Sequence, residues 1–141
     1  MRRTGWVMAS TTALALACGD VKPLATGPDG DVPDPTATFT RVQGEVFTVS
    51  CAVSGCHTGT APASNLDLSA TAAYASVVGV AAVQRAGLNR VEPGDPERSY
   101  LVKKMRGDAD ISGSRMPPGG PYLEAQVRLV SDWVRRGAPR D

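Results

Sequence analysis

Two cysteines and the single histidine of the chain lie together in the sequence, at Cys51, Cys56 and His57. They form a Cys-x4-Cys-His motif. Two thiols followed directly by an imidazole suit the covalent attachment of a c-type haem, because the thiols can add to vinyl groups of the porphyrin while the imidazole reaches the iron. The usual motif has two residues between its cysteines. Here the four-residue loop must bulge outward, and Gly55 supplies the backbone freedom for that turn.

Met116 is the candidate for a second iron ligand. It follows the motif at a long interval, in a loop rich in glycine and proline. A thioether is a soft ligand that suits haem iron and raises its reduction potential. The loop has too little apolar sequence to bury a methionine as core, whereas Met105 lies within a predicted helix and is expected to pack in the core. Pro117-Pro118 should stiffen the loop around Met116.

Residues 1–17 have the features of an export signal, because two arginines precede an apolar stretch that is too short to span a membrane. The stretch ends in Leu14-Ala15-Leu16-Ala17-Cys18, which resembles the lipobox at which bacterial lipoproteins are cleaved and diacylated, with Ala15 in the place usually held by leucine. Cleavage after Ala17 without lipidation would leave Cys18 as a free terminal thiol. We expect a lipid on Cys18. Since a glycine rather than an aspartate follows it, we expect a periplasm-facing lipoprotein of the outer membrane.

Two other uses of the cysteine motif remain open from the residues alone. Cys51 and Cys56 could close a local disulfide, as cysteines of exported proteins often do. Zinc is a third option, but a structural zinc site needs four ligands. With Cys18 at the lipid, the chain offers only Cys51, Cys56 and His57 of the usual soft types.

The composition divides the exported chain into a linker and one domain. Residues 18–38 form the expected lipid anchor and flexible linker, because they are rich in proline, glycine and aspartate and hold few apolar side chains. Residues 39–141 form the expected folded domain. Loss of the signal removes two of the 15 basic residues and none of the 14 acidic ones. This balance predicts no binding to nucleic acid and membrane attachment through the lipid alone. Lys103-Lys104 and Arg135-Arg136 are interpreted as solvated helix ends.

Helical spacing dominates the domain, which predicts an all-α fold. The first helix should end near Cys51 and carries apolar residues that mostly share one face: Phe39, Val42, Val46, Phe47 and Val49. A weaker helix is expected over 72–78. A capped helix is expected over 95–107, with Asp95 as its N-cap and proline at its first position. The last helix carries an apolar face and ends before glycine and proline: Leu123, Val127, Val130, Val134, Gly137 and Pro139.

From Phe39 to Pro139 the chain resembles the small cytochrome c domains of bacterial lipoproteins and of planctomycete-type cytochrome proteins. The similarity lies in the order of several blocks rather than in any one of them. These blocks are the helix leading into Cys51 to His57, then Leu66-Asp67-Leu68, Val91-Glu92-Pro93-Gly94-Asp95-Pro96, Ser99-Tyr100-Leu101, Arg115-Met116-Pro117-Pro118 and Trp133-Val134-Arg135-Arg136-Gly137-Ala138.

The resemblance implies a class I cytochrome c-like architecture, in which a few helices surround one covalently bound haem c. His57 would be the proximal ligand and Met116 the distal one, with Cys51 and Cys56 in the thioether bonds. The terminal helices would cross near the haem, bringing together the side chains Val42, Val46, Val127, Val130 and Trp133. Because haem would supply much of the apolar core, the haem-free chain is expected to be poorly ordered.

Three functions follow from these expectations. The first is one-electron transfer to and from a redox partner protein, by a monomer that is not an enzyme. The second is activation of a small molecule such as peroxide, which needs an open coordination position and is disfavoured by Met116. The third is a haem-free lipoprotein module, with a Cys51–Cys56 disulfide, that acts as a binding or structural element.

Overall fold

The computed structural model describes residues 32–141. The predicted signal peptide and Cys18, the predicted lipidation site, lie outside these residues, as does most of the predicted linker. The described part is helical and has no β-strand, only isolated bridges, so the all-α prediction is confirmed for it. Its elements in chain order are α1 (Phe39–Val42), a π-helix (Gln43–Cys51), a 3-10 turn (Ala63–Asn65), α2 (Ala73–Val77), a second 3-10 turn (Pro96–Arg98), α3 (Tyr100–Arg106) and α4 (Glu124–Arg135).

None of the helices within residues 32–141 combines the length and the apolar character that a membrane crossing requires.

Residues before α1 also contribute to the packing of the domain. Pro33 and Ala37 are buried, and the carbonyl oxygen of Ala37 accepts a hydrogen bond from Arg136. The residues that directly precede α1 therefore pack on the domain.

The first helix changes its winding after one turn. Thr38 caps α1 by accepting a hydrogen bond from the backbone N–H of Arg41, and the chain then continues as the π-helix up to Cys51. Val46 and Phe47 are buried as expected, but Val49 is 60% exposed. Val49 thus lies off the face that most of the set shares. The wider i→i+5 turn rotates each residue by a smaller angle about the helix axis than α-helical spacing assumes.

The helix expected over 95–107 is divided in two. Asp95 does act as an N-cap, since its carboxylate accepts a 3.0 Å hydrogen bond from the backbone N–H of Arg98, but it caps only the 3-10 turn. Ser99 is extended, and its hydroxyl donates to the carbonyl oxygen of Asp95 at 2.8 Å. α3 therefore begins at Tyr100. It ends as predicted, with Gly107 in the left-handed conformation at φ +83°.

The terminal helices pack on each other around Trp133. The ring of Phe39 lies 5.6 Å from that of Trp133 and 5.1 Å from that of Tyr74, measured between centroids. The indole N–H of Trp133 donates to the carbonyl oxygen of Pro139 at 2.9 Å. The resemblance implied that four valines meet near Trp133. These valines belong, with Trp133, to one buried cluster: Val42, Val46, Val127 and Val130. This core fixes the end of the π-helix, and so Cys51, relative to α4.

Candidate haem-binding cleft

The cysteine motif forms a short turn at the end of the π-helix. The backbone N–H of Cys56 donates to the carbonyl oxygen of Val53 at 3.0 Å, and that of His57 donates to Cys51 at 3.1 Å. Gly55 has a φ of +79°, the left-handed conformation that glycine adopts without strain. Residues 53–55 are exposed. The expected outward bulge with its glycine turn is thus present.

His57 has a fixed tautomer. Its Nδ1 lies 3.1 Å from the carbonyl oxygen of Ala63. Because a carbonyl can only accept, Nδ1 is the donor in this bond, and in the corresponding neutral tautomer the lone pair lies on Nε2. The same segment holds the backbone, since Ala63 donates to Cys56 at 3.0 Å and Leu68 donates to His57 at 2.8 Å. This arrangement is the one that orients a histidine for coordination through Nε2.

Cys51 and Cys56 are free, partly buried thiols. Burial raises the pKa of the Cys51 thiol to about 11, and the neighbouring Cys56 adds to the shift. Cys51 is therefore protonated at neutral pH, which makes it a weak thiolate donor to a metal ion. Among residues 32–141, no group of three or more histidine, cysteine, aspartate or glutamate side chains is placed to hold a metal ion.

Met116 sits in a loop that is tied to α3 by its backbone. The N–H of Met116 donates to the carbonyl oxygen of Lys104 at 2.8 Å. The ammonium of Lys104 donates to the carbonyl oxygens of Ser112 and Ser114 at 2.8 and 2.6 Å, and the N–H of Ser112 donates to the hydroxyl of Tyr100 at 2.9 Å. Pro117 and Pro118 were expected to stiffen this loop, and these hydrogen bonds fix it beside α3 more directly.

Arg115 holds the part of the loop that follows Met116. Its guanidinium donates to the carbonyl oxygens of Gly120 and Pro121 at 2.6 and 3.2 Å and lies over the ring of Tyr122. The aliphatic part of Arg115 also packs against Gly107, where an added Cβ would lie 2.8 Å from its Cδ. Both ends of the Met116 loop are therefore held.

Cys51, His57 and Met116 line one cleft of about 780 Å³, measured out to its open mouth. The walls are mainly apolar and include Val46, Leu66, Leu68, Val77, Leu101 and Met105. Cys56 is not part of the lining. Met105 is buried in the core as predicted, and it also lines the cleft.

The donor set suits haem on chemical grounds. An imidazole with a free Nε2, a thioether and a thiol face one apolar cleft, and these are the groups that hold c-type haem. A structural zinc site would need four ligands, and the aliphatic walls of the cleft supply none. The residues present therefore fit a haem group, with His57 and Met116 as ligands and Cys51 as an attachment point.

Comparison with known proteins adds no name to this site. No protein-family model matches the chain, and no curated protein or solved structure shows significant similarity to it. The likeness to small cytochrome c domains rests on the sequence blocks quoted above, and the interpretation of the cleft rests on its own residues.

Two cationic residues of the cleft were not identified from the sequence. Lys104 was interpreted as part of a solvated helix end, and this is wrong: it is 6% exposed and lines the cleft. Its stem lies along apolar neighbours while its ammonium reaches loop carbonyls, which linear spacing does not reveal. Arg90 also lines the cleft. Arg135, expected to be solvated, is only partly exposed and pairs with the buried Asp132 at 2.6 Å.

An ionic cluster holds the start of the Met116 loop. Arg106 bonds the carboxylates of Glu97 and Asp108, and Lys103 bonds Asp108 and Asp110. The hydrogen bond from Arg106 lowers the pKa of Glu97. Burial alone would raise the pKa of Asp108, but the bonds and charges of Arg106 and Lys103 lower it on balance. Folding therefore favours the ionised carboxylates.

We predict that the domain loses stability as the pH falls below about 4, the ordinary range of these carboxyls. Their depressed pKa values mean that the stabilisation is complete above this range and is lost as they become protonated. Asp108→Asn should lower the free energy of unfolding by about 1 kcal/mol at pH 7 and weaken the acid dependence. Urea unfolding from pH 7 to 3 measures both, with the more exposed Asp110→Asn as the control. An Asp108→Asn profile parallel to that of the unaltered protein would contradict the prediction.

Proposed function

We propose that this protein is a one-electron carrier with a single covalently attached haem c, bound between His57 and Met116. The observation that carries the proposal is the meeting of three groups in one apolar cleft: the Cys51 thiol, His57 with its Nε2 free, and Met116 on its pinned loop. The type and the sequence spacing of each of these residues indicate the same role.

His57 would supply the proximal nitrogen. The carbonyl oxygen of Ala63 keeps the proton on Nδ1 and fixes the ring plane, so Nε2 needs no rearrangement to bind iron. The thiols of Cys51 and Cys56 would each add across a vinyl group, with the sulfur bonding one carbon and the thiol proton passing to the other. This addition balances without an oxidant.

Met116 would supply the distal sulfur. The bonds donated by Lys104 and the bond accepted by the Tyr100 hydroxyl hold its loop against α3, and Arg115 ties the loop to its own carbonyl oxygens. A weak thioether bond persists only on a loop that is held. When bound, the haem supplies one iron that cycles between two oxidation states. A sixth ligand from the chain closes the position that a small-molecule substrate would use, which favours electron transfer over catalysis.

Electrons would enter and leave at the open mouth of the cleft. Val83 lines the cleft and is 70% exposed, so it offers an apolar contact beside the opening. A transient redox partner protein needs only a small interface there. We further propose that the carrier is an exported monomer, attached to the periplasmic side of the outer membrane by a lipid on Cys18.

A second candidate is the haem-free lipoprotein module with a Cys51–Cys56 disulfide. It is favoured by the nearness of the two thiols, which is evident in the effect of Cys56 on the pKa of Cys51. In this case the cleft would bind an apolar ligand without redox chemistry.

Purification of the full chain from a host with haem-attachment machinery separates the two candidates. We expect visible absorption of a c-type haem and an intact mass increased by one haem. A chain without haem, with a mass lower by two hydrogens that returns on reduction, would contradict the carrier proposal and support the disulfide module. The same absorption and mass measurements on Cys51→Ala and on Cys56→Ala show which thiol is needed. Haem that remains attached in one of these variants must be bound through the cysteine that is left.

We predict that Met116→Ala abolishes the absorption band of thioether ligation and lowers the reduction potential, because iron loses the soft ligand that favours its reduced state. Met105→Leu is the matched control. It also changes a methionine that lines the cleft, but it preserves apolar volume in the core and should leave the band in place. An unchanged band and potential in Met116→Ala would refute the distal assignment.

We also predict that the haem-free chain is poorly ordered, since much of the apolar wall then faces solvent. Circular dichroism of Cys51→Ala/Cys56→Ala, produced without haem-attachment machinery, should show reduced helicity and a broad thermal transition. The unaltered holoprotein is the reference. A haem-free chain that is fully helical and melts cooperatively would overturn this prediction.

A further inference from the structure

The charges that line the cleft are of one sign. Its lining includes Lys104 and Arg90 but no aspartate or glutamate. The guanidinium of Arg90 is occupied by backbone carbonyls, donating to Ser76 at 2.8 Å, Ser64 at 3.0 Å and Asn65 at 3.2 Å. Arg90 thereby fastens α2 to the turn after the cysteine motif, and its charge is spread over three neutral acceptors. Arg90 is partly exposed, whereas Lys104 is the buried cation of the lining, at 6% exposure.

Lys104 carries a buried charge without a carboxylate partner among residues 32–141. Its ammonium has three N–H donors, and only two are used, on the carbonyl oxygens of Ser112 and Ser114. The adjacent Lys103 has carboxylate partners, because it forms ion pairs with Asp108 and Asp110, and it is not part of the cleft lining. A buried cation that lacks a counter-charge is costly unless a ligand provides one.

We infer that Lys104 is the anion-binding residue of the cleft and pairs with a carboxylate of the group bound there. This inference rests on the proposed function, under which the carboxylate is a propionate of the haem. A ligand with an apolar body and carboxylate arms matches a cleft with aliphatic walls and a cation at one side. Lys104 acts here as a positioning residue and does not ligate the iron.

The location of Lys104 gives its charge a consequence for redox chemistry. Its backbone carbonyl accepts the N–H of Met116, so the residue belongs to the distal side of the cleft. A positive charge in this apolar region disfavours the additional positive charge of oxidised iron, and it also neutralises the paired propionate. Both effects favour the reduced state and raise the reduction potential.

Three variants of the holoprotein test the inference. Lys104→Gln removes the charge but retains N–H donors for the loop carbonyls, and Lys104→Arg retains the charge. Lys103→Gln removes the same charge from the neighbouring position outside the cleft. We expect Lys104→Gln to lower the ratio of reduced to oxidised protein at a fixed potential about tenfold, equivalent to about 59 mV for a one-electron couple. Lys104→Arg and Lys103→Gln should stay within about threefold of the unaltered protein.

Two spectra distinguish a charge role from a purely structural one. The thioether band should persist in Lys104→Gln, and the propionate bending mode in the resonance Raman spectrum should shift in Lys104→Gln but not in Lys103→Gln. Loss of the band with an unmoved propionate mode would show that Lys104 only pins the loop and would overturn the inference. An unchanged potential in Lys104→Gln would overturn it as well.

The unaltered holoprotein provides a reading that does not depend on a variant folding. Nitrogen-15 spectra of its lysine side chains should contain a slowly exchanging ammonium from Lys104 whose shift changes with the oxidation state. A fast-exchanging Lys104 ammonium, insensitive to oxidation, would overturn the inference while the carrier function stands. A protein purified without haem would overturn both, and absorption and intact mass identify that case.

Discussion

The hydrogen bond from Nδ1 of His57 to the carbonyl oxygen of Ala63 is the contact on which the site depends. It settles which ring nitrogen carries the proton and leaves the other available to a metal. It also links the cysteine turn to the segment that follows, which is held in place by the bond between the N–H of Leu68 and the carbonyl oxygen of His57. Without this bond the imidazole could rotate, and the apolar cleft would have no fixed donor on that side.

The part of the cleft around Met116 is built differently. His57 lies on a turn that is anchored by the π-helix and the core around Trp133, whereas Met116 lies on a loop with no regular structure. That loop is held by polar contacts to α3, from Lys104 and Tyr100, and by the bonds of Arg115 to its own carbonyls. His57 is thus positioned by the packed core and one hydrogen bond of its ring, and Met116 by several polar contacts of its loop, which makes the Met116 side the more sensitive to charge and pH.

The site residues could be predicted from the sequence because their types are rare and their order is informative. The chain has one histidine, it follows a cysteine directly, and one methionine stands in a loop that could not bury it otherwise. The start and end of α4 followed from helical spacing and from Gly137. Local signals of this kind need no knowledge of the tertiary fold.

Other features depended on contacts that the sequence does not display. The exposure of Val49 follows from the π-helix, and no sequence pattern marks where α-helical winding gives way to it. Asp95 is a correct capping residue that caps a 3-10 turn instead of α3, because the extended Ser99 intervenes. Lys104 resembles its ion-paired neighbour Lys103 in sequence, and only the fold of the Met116 loop over α3 buries it.

The central claim is that His57 and Met116 would both bind one iron in the cleft. X-ray absorption at the iron edge of the purified holoprotein tests this most directly, because it identifies the atoms bound to the metal. The account predicts one sulfur scatterer together with nitrogen scatterers from the porphyrin and from His57, with the sulfur lost in Met116→Ala. An iron surrounded only by nitrogen and oxygen in the unaltered protein would contradict it.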